Sequence, residues 1–145
     1  MSATAEHADG QDNSAVDRLG LKPGQIVQEL GYDDDCDDAL RAAVEERIGS
    51  ELVDEDYDDV ADVVLLWWRE SDGDPADGLL DALSSLVDGG TVWLLTPKAG
   101  REEHIEPSEI SESAVSAGLQ ATSSVSAAAD WVGTRLVPPR AKGKR

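Results

Sequence analysis

Two nearly unbroken apolar runs dominate the chain: Val60-Ala61-Asp62-Val63-Val64-Leu65-Leu66-Trp67-Trp68, and Gly89-Gly90-Thr91-Val92-Trp93-Leu94-Leu95-Thr96-Pro97-Lys98. Each is short and rich in Val, Leu and Trp. Strands of a parallel sheet read this way because helices cover both faces, so neither face needs polar residues. Between the runs, Leu79, Leu80, Leu83, Leu86 and Val87 recur at spacings of three and four, one apolar stripe along a helix. Gly89-Gly90 stands where a C-terminal cap would end that helix. Strand, helix and strand in this order predict a right-handed βαβ unit.

The flanking pattern extends the unit. Gln25 to Leu30 predicts a first strand after the Pro23-Gly24 turn, and Gly31 breaks it. Ala39, Leu40, Ala43, Val44 and Ile48 then give a helical stripe closed by Gly49. The acids of Asp33 to Asp38 lie at its start, where the helix dipole favours negative charge and Asp is a preferred N-cap. Glu51 to Asp54 reads as a short second strand, linked to the next by only Glu55 to Asp59. Such a link reaches about 17 Å at full extension, whereas returning to the opposite end of a sheet takes roughly a dozen residues. The 51–54 strand must therefore be very short or pair antiparallel.

Pro107-Ser108-Glu109 opens a third helix, with Ile110, Ala114, Val115 and Ala117 facing inward and Gly118 closing it. Ala121 to Ala127 and Trp131 to Val137 predict a terminal antiparallel hairpin. The resulting expectation is one α/β domain over 17–138, a three-layer sandwich with a mostly parallel sheet. An acidic disordered tail at 1–16 and a basic disordered tail at 139–145 flank it.

Charge changes the picture of partners. The chain carries 31 acids against 12 bases, a formal net charge of -19. Such a body repels nucleic acids and anionic membranes over a Debye length of about 10 Å, and it cannot neutralise phosphates. No apolar run approaches the ~20 residues of a membrane span, and Met1 to Asn13 lacks the apolar core of a secretory signal. The expectation is a soluble cytoplasmic protein with a basic protein as its partner, and no direct contact with nucleic acid or membrane.

Cys36 is the only cysteine, which excludes an intrachain disulfide and a Cys-rich zinc site. Its acidic neighbours disfavour a thiolate, so a redox role is not expected. The block Asp33 to Asp38 offers ligands for Mg²⁺ or Ca²⁺ but lacks the EF-hand spacing, and helix capping explains it as well. His7 and His104 lie far apart, and no serine has a histidine in convincing company. No catalytic constellation emerges.

The carboxyl ends of the two runs are the candidate site. Trp67 and Trp68 are adjacent in a strand and so face opposite ways. Trp68 and Arg69 lie at the end of one strand, and Thr96, Pro97 and Lys98 at the end of its parallel neighbour, with Asp130 and Trp131 entering the last strand. Ligands of open α/β sheets bind at such an edge. These seven residues form the expected ligand or partner edge; the plain alternative is edge packing with a Lys-Glu surface pair.

From Val60 onward, this order of elements resembles the C-terminal half of the class I methyltransferase fold. More closely, Leu21-Lys22-Pro23-Gly24-Gln25, Trp93 with Pro97-Lys98, and Asp130-Trp131-Val132-Gly133 resemble a bacterial family, domain of unknown function 3052, common in actinobacteria. The likeness covers about Leu19 to Val137 and implies a small Rossmann-like, methyltransferase-like fold with no assigned chemistry. Methyltransferases place a glycine-rich turn after the first strand. Here the turn is Glu29-Leu30-Gly31-Tyr32-Asp33-Asp34-Asp35, one glycine and then acids, and no G-x-G-x-x-G is present. No cofactor is therefore expected, and the expected function is a non-enzymatic acidic interaction module. One alternative is a ligand-binding or vestigial methyltransferase relative with its site at the carboxyl ends of strands 61–67 and 91–96. Another is a DNA mimic that occupies a basic protein.

Overall fold

The computed structural model describes residues 16–138. The tails expected at 1–16 and 139–145 lie outside the described residues, except Val16, which is fully buried. The elements are β1 (Val27–Leu30), α1 (Asp38–Ile48), β2 (Ala61–Trp67), α2 (Pro75–Leu83), β3 (Leu86–Pro97), α3 (Pro107–Ser116), β4 (Gln120–Ser126) and β5 (Trp131–Val137). They build a five-stranded sheet in the order β1-β2-β3-β5-β4. The first three strands run parallel, while β5 is antiparallel to both β3 and β4, as the run of apolar segments predicts.

Alternation along the strands splits the core into two layers. Val63, Leu65 and Trp67 of β2 pack with Trp93, Leu95 and Trp131 beneath Leu40, Val44 and Ile48 of α1. Val64 and Leu66 face the other way, with Val92, Leu94 and Leu136, beneath Leu79 of α2 and Ile110 and Ala114 of α3. Helices thus cover both faces of β2, which is why every position from Val63 to Trp67 is apolar. The helices start as their sequences dictate: Asp37 accepts from the Leu40 N–H at 2.9 Å, and Asp74 accepts from the Ala76 N–H at 3.0 Å ahead of Pro75.

Two expectations require correction. The second helix ends at Leu83, and Leu86 and Val87 already belong to β3, so Gly89-Gly90 sits inside a strand and caps nothing. Its stripe is correspondingly narrower, with Leu80 54% exposed. The chain must turn early because the Ser85 carbonyl accepts from the Ala61 N–H at 2.7 Å, which brings β3 against the start of β2. Gly90 serves that approach: a Cβ there would stand 2.9 Å from the Asp62 carbonyl oxygen.

The second correction concerns Val115, expected on the inner face of the third helix but 71% exposed. The 51–54 segment is the very short strand that its short link allows. It contributes a single parallel bridge, Val53 to Gln28. Glu29 N–H donates to the Val53 carbonyl at 2.8 Å, and Val53 N–H donates to the Val27 carbonyl at 3.0 Å. One bridge needs no long return, so the short link suffices. Among the described residues, no helix is long and apolar enough to cross a membrane.

Candidate functional site

After β1 the chain passes to α1 on one face, while after β2 it passes to α2 on the other. The carboxyl ends of β1 and β2 therefore flank the topological switch point, the crevice in which open α/β sheets bind ligands. Gly31 ends β1 with φ +81°, and a Cβ on it would lie 2.4 Å from the Trp67 carbonyl oxygen. Only bare backbone lets the two strand ends close this tightly.

Arg69 occupies the crevice. It is 9% exposed, and its Nη1 donates to the Gly31 carbonyl at 2.9 Å. Nε and Nη2 form a fork on Asp35, at 3.0 and 2.6 Å, and Nη2 also reaches the Cys36 sulfur at 3.2 Å. Asp72 accepts from the Arg69 backbone N–H at 2.9 Å. The guanidinium lies over the Trp131 ring, 5.4 Å from its centroid. Trp131 in turn donates from Nε1 to the Asp35 carbonyl at 3.3 Å and meets Trp67 edge-on at 4.8 Å. Beneath this group, Trp67 Nε1 donates to Glu29 at 2.8 Å, and Glu29 takes a fork from Arg41 at 2.7 and 2.9 Å. Charge-assisted bidentate bonds are the strong, orienting kind, so this crevice is a fixed structure.

The titratable groups reflect that packing. The hydrogen bond from Arg69 holds the Asp35 carboxyl below the ordinary range, and the same bond pushes the Arg69 guanidinium further up. Burial raises the Cys36 thiol to about 11, outweighing the nearby guanidinium, so the sulfur stays protonated and poorly nucleophilic at neutral pH. Three other acids of the block have separate tasks: Asp33 accepts from the Asp34 N–H, Asp37 caps α1, and Asp38 contacts Arg41 and the Tyr32 hydroxyl. Among the described residues, no cluster of three or more His, Cys, Asp or Glu is arranged to hold a metal ion.

The residues expected at the edge do not form one cluster. Arg69 and Trp131 meet in the crevice. Trp68 lies on the opposite face, half-buried, with Nε1 donating to the Gly73 carbonyl at 3.0 Å and its ring against Gly78. Thr96 and Pro97 are buried. Lys98 donates from Nζ to Ser126 Oγ at 2.8 Å and from its backbone to the Asp130 carbonyl at 2.9 Å, while Asp130 pairs with Arg101 at 3.2 Å. Among the described residues, Lys98 forms no Lys-Glu pair of the kind the plain alternative expects.

Sequence reading passed over Asp35, Glu29 and Arg41 as functional neighbours of Arg69 and Trp67. A signal existed. From Asp33 to Asp74 there are 17 acids and only 3 bases, Arg41, Arg47 and Arg69. Each of the three is ion-paired, with Glu29, Asp17 and Asp35 respectively. His104, left without a partner by the sequence, places Nδ1 2.8 Å from the Pro97 carbonyl.

This architecture is found among solved methyltransferases. The mitomycin 7-O-methyltransferase MmcR aligns with a TM-score of 0.58 at 12% identity, covering 80% of this chain and 49% of that one. The chain thus spans about half the length of that enzyme. Magnesium protoporphyrin IX methyltransferase from Synechocystis PCC 6803, solved with SAM bound, aligns with a TM-score of 0.54 at 10% identity, covering 92% and 79%. At such identities the likeness shows the fold alone. By sequence, an uncharacterized protein of Mycobacterium tuberculosis is 49% identical over 144 residues, covering 99% of this chain and 90% of the relative. A Mycobacterium bovis relative matches to the same extent. The chain belongs to the family described as protein of unknown function (DUF3052), whose model matches residues 16–140.

Proposed function

We propose that this protein is a non-enzymatic interaction module, a Rossmann-like scaffold whose acidic surface engages a basic protein partner in the cytoplasm. The observation that carries the reading is the crevice filled by Arg69. S-adenosylmethionine, held by the Synechocystis neighbour, does not fit the residues present here. The turn after β1 offers one glycine and then Asp33, Asp34 and Asp35, and Arg69 with Trp131 takes the space between the strand ends. A ligand entering there would have to break a bidentate ion pair and leave the Gly31 carbonyl without its donor, a cost of about 2–3 kcal/mol given that Asp35 is partly exposed.

With Arg69 between the strand ends, the reading assigns recognition to the surface. The linker between β1's bridge and β2 carries Asp54, Glu55, Asp56, Asp58 and Asp59, all exposed. A dense acidic stretch of this kind steers a basic partner and rejects acidic ones. The test is affinity capture from native cells, run in parallel with a variant carrying Lys at 55, 56, 58 and 59. The reading expects basic proteins, released by about 0.5 M NaCl, where the Debye length is ~4 Å, and lost in the variant. Capture of acidic proteins that survives both salt and charge reversal contradicts it.

A further inference from the structure

On the face opposite Arg69, a groove of about 360 Å³ runs between β1 and the second half of α2. Gln28, Leu66, Trp68 and Gly78 line it, and Glu55 and Asp81 contribute carboxylates. That volume lies within the range of small-ligand sites, about 300–1,000 Å³. Its chemistry is set by Gln28, a polar residue in the middle of a buried strand and only 2% exposed. Gln28 Nε2 donates to the Asp54 carbonyl at 3.0 Å, which fixes the amide with Oε1 as the free acceptor. That Oε1 is buried and has no hydrogen-bond partner among the described residues. A buried acceptor left unmatched is costly and calls for a donor.

The surroundings restrict which donor. Leu66 and the half-buried Trp68 ring offer an apolar wall that suits an alkyl stem and attracts a cation over its face. Glu55 and Asp81 are exposed acids, so an anion is repelled and a positive group is favoured. We propose that this groove binds the guanidinium or ammonium group of an organic cation with a short alkyl stem, one N–H donating to Gln28 Oε1. Gly31 borders both this groove and the Arg69 crevice, and Glu55 belongs also to the acidic linker of the proposed function; binding of a small cation here tests the groove without testing capture of a basic protein. The same group is offered by a free amine or guanidine and by an Arg or Lys side chain.

The test is a titration of the ¹⁵N-labelled full chain with n-butylguanidinium, n-butylammonium and n-butanol at constant ionic strength. The side-chain amide of Gln28 and the indole N–H of Trp68 report on the groove. Both cations are expected to shift both signals saturably, and butanol to leave them unmoved. Gln28→Leu should weaken binding about tenfold or more, the loss of a hydrogen bond to a charged group. Asp81→Asn, a surface change that leaves the fold intact, should weaken it severalfold. An acetyl-Gly-Arg-Gly-amide arm separates the sources: shifts with the peptide point to a protein side chain, and shifts with the free cations alone point to a small molecule. No saturable shift with either cation, or equal affinity in wild type and Asp81→Asn, overturns the proposal even if Gln28→Leu does not fold.

Discussion

Arg69 shows how much of this protein's behaviour is set by one side chain. Its planar guanidinium presents donors in a fork, and Asp35, Gly31 and Cys36 stand where the fork points. Lysine offers a point charge and cannot reproduce that geometry. Arg69→Lys is therefore expected to destabilise the fold by about 2 kcal/mol and Arg69→Ala by about 3, measured by urea unfolding, allowing for partial solvent screening of Asp35. Full stability in Arg69→Lys would show that the fork is unimportant. Because the Asp35 carboxyl is depressed, its contribution is complete above the ordinary carboxylate range and fades as pH falls through it, below about pH 4. The stability gap between wild type and Asp35→Asn should accordingly narrow between pH 7 and pH 3. Cys36 works in the opposite direction. Its thiol is raised to about 11, so its contribution is complete below the free-thiol pKa and is lost as pH climbs from there to about 11. Iodoacetamide at pH 8 should label it far more slowly in folded than in urea-unfolded protein; equal rates would contradict the burial.

Among the elements, those with both faces buried were legible and those governed by a close approach were not. Ala61–Trp67 reads as a strand because every position from Val63 onward is apolar, and tertiary burial confirms what periodicity implies. The start of β3 was hidden. Leu86 and Val87 continue the helical spacing of Leu79 and Leu83, and nothing local reveals that Ser85 must meet Ala61 across the sheet. The candidate edge was half legible: sequence placed Arg69 and Trp131 near the strand ends, but the partner Asp35 lies 34 positions away and only folding selects it from the surrounding acids. Gly31 marks the same lesson, since its need for a positive φ and for bare backbone against Trp67 arises from packing. Gly31→Ala is expected to cost roughly 3 kcal/mol or more, through both strain and contact. A thermal melt within a degree or two of wild type would show that β1 and β2 do not close as described.

For the whole molecule, charge is the governing quantity. A net charge of -19 on 145 residues opposes compaction, and few bases are present to neutralise it. Raising NaCl from low levels to about 0.5 M, where the Debye length falls to ~4 Å, should raise the melting temperature. A flat or falling one would mean that the surface acids are already compensated. In the proposed reading the same surface sets the partner preference, and the crevice that Arg69 occupies takes no cofactor. That exclusion is tested most directly by calorimetric titration of the intact chain with S-adenosylmethionine at neutral pH. The account expects no saturable heat; a dissociation constant of about 10 µM or tighter, roughly -7 kcal/mol, would contradict it.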